Sequence, residues 1–115
     1  MRKKTYDFPE SFFDAKYIST FLKIKVGDHE VRDLVLIENH FYKDKRIASY
    51  KFTLPFCAPN SVNTWEYVYD IPKLPQEYIQ NLISGNAKNT SDTFFFVEGK
   101  MILHNKSDYL FHKDN

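Results

Sequence analysis

Between Tyr17 and Phe56, hydrophobic residues recur at every second position, the period of a strand rather than of a helix. In "YISTFLKIKV", Ile18, Thr20, Leu22, Ile24 and Val26 share one face. Tyr17, Ser19, Lys23 and Lys25 occupy the other, beside Phe21. Gly27-Asp28 marks a turn into a second strand, from about Val31 to Tyr42. After the polar connection "KDKR", a third strand places Ala48, Tyr50, Phe52, Leu54 and Phe56 on its buried face. Pro55 offers no ladder N–H, which predicts an edge strand, a bulge or a strand end.

Further on, "CAPNSVNTW" has the composition of a loop, and "EYVYDIPKL" reads as extended. The one helical stretch is "PQEYIQNLIS". Pro75 lies near its first turn, Gly85 follows its end, and Tyr78/Leu82 and Ile79/Ile83 stand one helical turn apart. "GNAKNTSD" reads as a second loop. "TFFFV" and "KMILH" then form a hairpin about Glu98-Gly99, and a further strand "DYLF" closes the chain. Because Phe94, Phe95 and Phe96 are consecutive, both faces of that strand are apolar and both need cover, from a neighbouring segment or a ligand cavity. The pattern predicts an all-β, mainly antiparallel sandwich with one short helix.

Composition narrows the class. A chain of 115 residues supports one core, not two. Sixteen basic and fifteen acidic residues leave a net charge of +1, which is no footprint for nucleic acid. The start "MRKK" is too short a cluster to alter that and reads as a solvated terminus. Cys57 is the only cysteine, so no disulfide closes within the chain, which suits a reducing compartment. "LVLI" and "FFFV" fall far short of a membrane span, so no direct membrane insertion is expected. Arg2 after Met1 removes the signal for N-myristoylation of the chain itself. The expectation is a soluble intracellular protein.

Candidate chemistry is sparse. His29, His40, His104 and His112 lack zinc-ligand spacing. Glu38 and His40 share a strand face, but two ligands are too few for a metal site, so no metal or cofactor is expected. Cys57 has no neighbouring base and reads as a structural thiol. With Gly27, Gly85 and Gly99 the only glycines, there is no phosphate-cradling loop. The chain does not read as an enzyme. Glu38, in "LVLIENHF", has two readings. Composition alone sends it to solvent, since unpaired Glu is rarely buried. Neither face of its strand is wholly polar, so a carboxylate at the mouth of an apolar cavity is the other reading.

The stretches "PNSVNTWEYVYDIPKL" and "SDTFFFVEGKMILHNKSDYLF" resemble the family of the phosphodiesterase delta subunit and the Unc (uncoordinated) proteins. "YDF" at 6–8, "VGDHEV" at 26–31 and "IENHF" at 37–41 continue the likeness, and "HNK-DY" resembles the Unc branch, which binds N-myristoylated proteins. The resemblance implies an immunoglobulin-like two-sheet β-sandwich. It also implies that the chain is a single unit, residues 1–115, matching the C-terminal part of that sandwich, since family members carry further strands ahead of the segment beginning at Thr5.

By position, the resemblance assigns Tyr6 and Phe8 to the wall of an acyl tunnel and Glu38 to its mouth, holding the cargo's amide. Tyr109 falls in the pocket region. Phe95 stands where the branch usually has tyrosine, and Tyr67 where it commonly has histidine. The implied function is a trafficking chaperone that sheathes the N-myristoyl group of acylated cargo and releases it to an Arf-like small GTPase. The implied setting is cytoplasmic, with ciliary or cytoskeletal association. Two alternatives stand beside it: a prenyl-binding factor of the delta-subunit type, and a β-sandwich interaction module with no lipid.

Overall fold

The computed structural model describes residues 2–113. Seven strands form two facing sheets: β1 (Arg2–Pro9), β2 (Tyr17–Lys25), β3 (Val31–Tyr42), β4 (Lys45–Cys57), β5 (Val62–Asp70), β6 (Asn89–Val97) and β7 (Lys100–His112). A 3-10 turn (Glu10–Asp14) joins β1 to β2, and the helix α1 (Gln76–Ser84) lies between β5 and β6. The larger sheet has the order β1-β7-β6-β3-β4, and the smaller pairs β2 with β5. Every pairing is antiparallel except β1 with β7. The all-β sandwich with one short helix read from the sequence is the fold observed.

Alternation sets which side chains meet between the sheets. Leu34, Leu36, Glu38, His40 and Tyr42 of β3 point inward, and Leu36 is fully buried. On β2 the predicted face, Ile18 to Ile24, is the less exposed one. Pro55 sits on the edge strand β4, as its missing donor requires. The ladder there passes from Arg32–Phe56 to Leu34–Leu54 with no pair between, and Asp33 takes a φ of 52°. The α1 helix ends at Gly85, whose φ of 85° is the left-handed cap that glycine supplies without strain. Tyr42, Leu82 and Phe111 form the buried cluster beneath the helix, where Tyr78 stacks on Tyr42 with centroids 4.0 Å apart.

Several expectations are corrected. The basic start is solvated, as read, since Arg2, Lys3 and Lys4 are exposed, but it is also an unforeseen strand: Met1 lies outside the described residues, while Arg2–Pro9 pairs along its whole length with β7, and Lys3 reaches Asp108 at 3.2 Å. Phe56 is 50% exposed rather than buried, with the Arg32 guanidinium 5.5 Å from its ring centroid. Both loops are shorter than their compositions suggest. The strands β5 and β6 begin at Val62 and Asn89, inside the segments read as loops. In the first segment Asn60 and Ser61 do make the turn, with Asn60 at a φ of 55° and the Ser61 hydroxyl donating to the Ala58 carbonyl. In the second the side chains bridge strands: Asn89 donates to the Phe41 carbonyl at 2.8 Å, and the Ser91 hydroxyl meets the Tyr109 hydroxyl at 2.9 Å. "DYLF" is not a separate strand, because β7 runs unbroken from Lys100 to His112. Among the three phenylalanines, Phe95 faces the other sheet, while Phe94 lies outside against the His104 ring, centroids 4.4 Å apart.

Candidate functional site

Cross-strand register stacks the inward residues of the large sheet into rows. One row runs Tyr50–Glu38–Thr93–Asn105 and the next Ala48–His40–Ser91–Ser107. A third joins Tyr42, Asn89, Tyr109 and Tyr6, and beyond it lie Phe111 and Phe8. In the other direction Phe52, Leu36, Phe95 and Leu103 make an apolar row. A polar band therefore crosses the inner face of an otherwise apolar sheet. The strand period makes this possible, because residues two apart on β3, β6 and β7 keep the same side.

A cavity of about 360 Å³ opens between the sheets over this band. That is within the range of small-molecule pockets. Its far end is aromatic and aliphatic, with Phe8, Phe12, Phe13, Ile47 and Leu74. Rings follow one another along that wall: Tyr6 stacks on Tyr109 at 5.6 Å and on Phe8 at 6.2 Å, and Phe8 on Phe12 at 4.7 Å. All six residues singled out from the sequence, Tyr6, Phe8, Glu38, Tyr67, Phe95 and Tyr109, line this one cavity.

Glu38 is 7% exposed, so the solvent-facing reading of this carboxylate is overturned. Alternation did not decide its side, but its register between Tyr50 and Thr93 does. The Thr93 hydroxyl donates to Oε1 at 3.3 Å, and His40 Nε2 lies 3.2 Å from Oε2. That second approach is an ion-pair distance without hydrogen-bond alignment. Glu38 Oε2 and His40 Nε2 are thus buried with no hydrogen bond, and Asn105 Oδ1 is a third such atom on the same wall. Buried polar atoms in this condition cost about 1–3 kcal/mol each, which a ligand bringing partners would recover.

Tyrosines surround the carboxylate. The rings of Tyr50, Tyr69 and Tyr109 pack about His40 with centroids 5.7, 6.0 and 5.8 Å away. Burial, reinforced by the Glu38 charge, pushes the Tyr67 hydroxyl up to about 12. Burial does the same for Tyr109, up to about 12, against the opposing hydrogen bond to Ser91. Tyr69 and Tyr50 shift upward for the same two reasons. All four hydroxyls are therefore neutral at physiological pH and keep their O–H as donors. Tyr50 already donates to the Asp70 carbonyl at 2.6 Å, tying the two sheets together.

Sequence reasoning placed Tyr50 on a buried face but not in a site, missed His40 as a cavity residue, and missed Thr93, Asn105 and Tyr69 altogether. The signal that finds them is parity: in "SDTFF" and "HNKSDY" the polar residues alternate in phase with an apolar inward face. Among the described residues no group of three or more His, Cys, Asp or Glu is placed to hold a metal ion. Cys57 is buried, as a structural thiol should be. No helix among those residues is long and apolar enough to cross a membrane.

A two-sheet sandwich that encloses a ligand-sized cavity, with a buried carboxylate on its floor, has the architecture of a binding domain. The profile of the GMP-PDE, delta subunit family matches residues 1–111, and the chain belongs to that family. It is 37% identical over 106 residues to protein unc-119 homolog B of Danio rerio, covering 92% of this chain and 44% of that protein. It is 38% identical over 104 residues to protein unc-119 of Caenorhabditis elegans, covering 90% and 48%. The chain thus spans about half the length of these curated relatives, and the likeness is to the Unc branch. Among solved structures, a protein from Archaeoglobus fulgidus superposes with a TM-score of 0.54 at 13% identity, covering 82% of this chain and 83% of that one. Spo0M, a sporulation control protein from Bacillus subtilis, gives 0.50 at 13% identity, covering 95% and 45%. These two speak to the fold alone.

Proposed function

We propose that the chain acts as a lipid-binding trafficking chaperone that sheathes the N-myristoyl group of a cargo protein between its two sheets. The observation that carries this reading is Glu38: a carboxylate buried at the polar end of an apolar cavity, with one oxygen lacking a hydrogen bond. An acyl amide brings the N–H that oxygen needs, and its chain fits the aromatic end. From the row of Asn105 to that of Phe111 is six residues, roughly 20 Å of strand. About a dozen buried methylenes at about 0.8 kcal/mol each give roughly 10 kcal/mol gross. Lost translational and conformational freedom offsets much of it. Burial of the chain cannot tell one acylated partner from another, so selectivity falls to the polar band, where a charge-assisted hydrogen bond contributes about 1.5–3 kcal/mol.

A prenyl thioether carries no N–H for Glu38, which weighs against the delta-subunit-type ligand. The open cavity weighs against an interaction module with a filled core. Release to a GTP-bound Arf-like GTPase rests on the family resemblance and requires that partner to prefer the lipid-free or open sandwich. The test is a titration of Glu38→Ala with a myristoylated glycine peptide and with myristic acid. Affinity for the peptide should fall by about 1.5–3 kcal/mol and for the acid hardly at all. Equal losses for both ligands would make Glu38 a structural residue.

A further inference from the structure

Across the strands from Glu38, the same polar row holds a second acceptor without a partner. Asn105 follows Thr93 in the register, lines the cavity, and has its carboxamide oxygen buried with no hydrogen bond. Glu38 and Asn105 lie two strand spacings apart, roughly 10 Å between backbones, with Thr93 between them. The Thr93 hydroxyl is turned to Glu38 and leaves the Asn105 oxygen unserved. The row therefore presents two acceptors, one charged and one neutral, at the point where an acyl chain must end. A fatty carboxylate, an ester or a thioether cannot supply both donors. Successive backbone N–H groups of a peptide can.

We propose that Asn105 is a specificity-determining residue that accepts the second backbone N–H of an N-acylated peptide, while Glu38 accepts the first. The pair then reads an acyl group followed by peptide backbone, not an acyl group alone. This inference rests on the acyl-binding reading of the cavity. The strand geometry also explains why a neutral carboxamide serves here: a second carboxylate in this row would repel Glu38, whereas an asparagine adds an acceptor without charge.

The experiment is a double cycle on the full chain. Wild type and Asn105→Ala are each titrated with an N-myristoyl glycine peptide and with the same peptide methylated on its second backbone nitrogen, with myristic acid as reference. Wild type should bind the methylated peptide about tenfold more weakly than the parent, one buried hydrogen bond's worth. Asn105→Ala should lose about the same factor for the parent and nothing further on methylation, because the two changes remove one interaction. Myristic acid affinity should be unchanged throughout. If methylation costs wild type nothing, or if the two losses multiply, Asn105 does not receive that N–H. The methylated-peptide arm on wild type alone decides the matter if Asn105→Ala fails to fold. Failure of wild type to bind either myristic acid or the parent peptide would sink the acyl reading itself, whereas binding of both without methylation sensitivity sinks only the role of Asn105.

Discussion

The two ends of the inner face do opposite things with similar backbone. At the helix end, Tyr42, Leu82 and Phe111 pack with Phe8, Phe12 and Phe13 into an aromatic cluster in which ring follows ring. A few residues along the same strands, Glu38, His40 and Asn105 hold buried polar atoms that lack hydrogen bonds. The first end stabilises the fold and, in the proposed function, receives the acyl chain. The second end leaves buried acceptors unpaired at a cost to stability and, in the same proposal, selects a ligand with particular donors. Stability and selectivity are thus separated along the strands by a spacing of only a few residues.

The largest effect should come from weakening the aromatic end. Phe111→Ala empties a buried position and should cost about 3–5 kcal/mol of stability, read as a shifted denaturation midpoint. It should leave the preference for acyl peptide over fatty acid intact. Loss of that preference would show that the two ends are not separable.

The opposite change is next in size. Replacing Glu38 and His40 together by leucine removes a buried carboxylate–imidazole pair and its unsatisfied atoms. Stability should be unchanged or raised by about 1–4 kcal/mol, while discrimination between peptide and acid falls to the share that Asn105 supplies. Clear destabilisation of the double variant would mean that the polar band holds the sheets together. Phe95→Ala, on the apolar row beside the band, sharpens the boundary. Phe95 is half-buried, so its loss should cost about 1–3 kcal/mol, less than a fully buried phenylalanine, with weaker binding of every acyl ligand alike.

The smallest effect is a matter of pH. Tyr67 and Tyr109 ionise near 12 in the folded protein against about 10 in an open chain. The folded state therefore holds their protons more tightly. Their contribution to stability is complete below about pH 10 and is lost as pH rises toward 12. Tyrosinate absorbance should show a late class of hydroxyls whose ionisation coincides with unfolding. Ionisation of every tyrosine near 10 with the fold intact would place them in solvent.

Legibility in the sequence followed the same division. The alternation over residues 17–26 and 31–42, the helix stop at Gly85 and the edge position of Pro55 follow from local rules, and each is observed. The polar band was opaque because its residue types imitate other things. Asn89, Ser91 and Asn105 have the composition of turns, yet they sit inside strands because the cavity leaves room for inward polar groups. The side taken by Glu38 was undecidable from its own strand, since both faces of β3 are mixed; the pairing partners Tyr50 and Thr93 fix it. Phe56 went astray for the converse reason. Parity placed it inside, but near the end of the edge strand β4 it is half-exposed, with the Arg32 guanidinium over its ring. Strand β1 escaped notice because its parallel partner lies a hundred residues away, where no local pattern reports it.

The orientation of the ligand is the central claim, and a photoreactive acyl chain tests it most directly. A myristoylated glycine peptide with a diazirine at the far end of its chain would be bound, irradiated and the labelled residues located by mass spectrometry. Labels should fall on Phe12, Phe13, Ile47 or Leu74, which line the cavity where it meets the cluster beneath the helix. Labels on Met101, Ile102 or Leu103, exposed apolar residues of β7, or on Phe95 beside the polar band, would contradict the account.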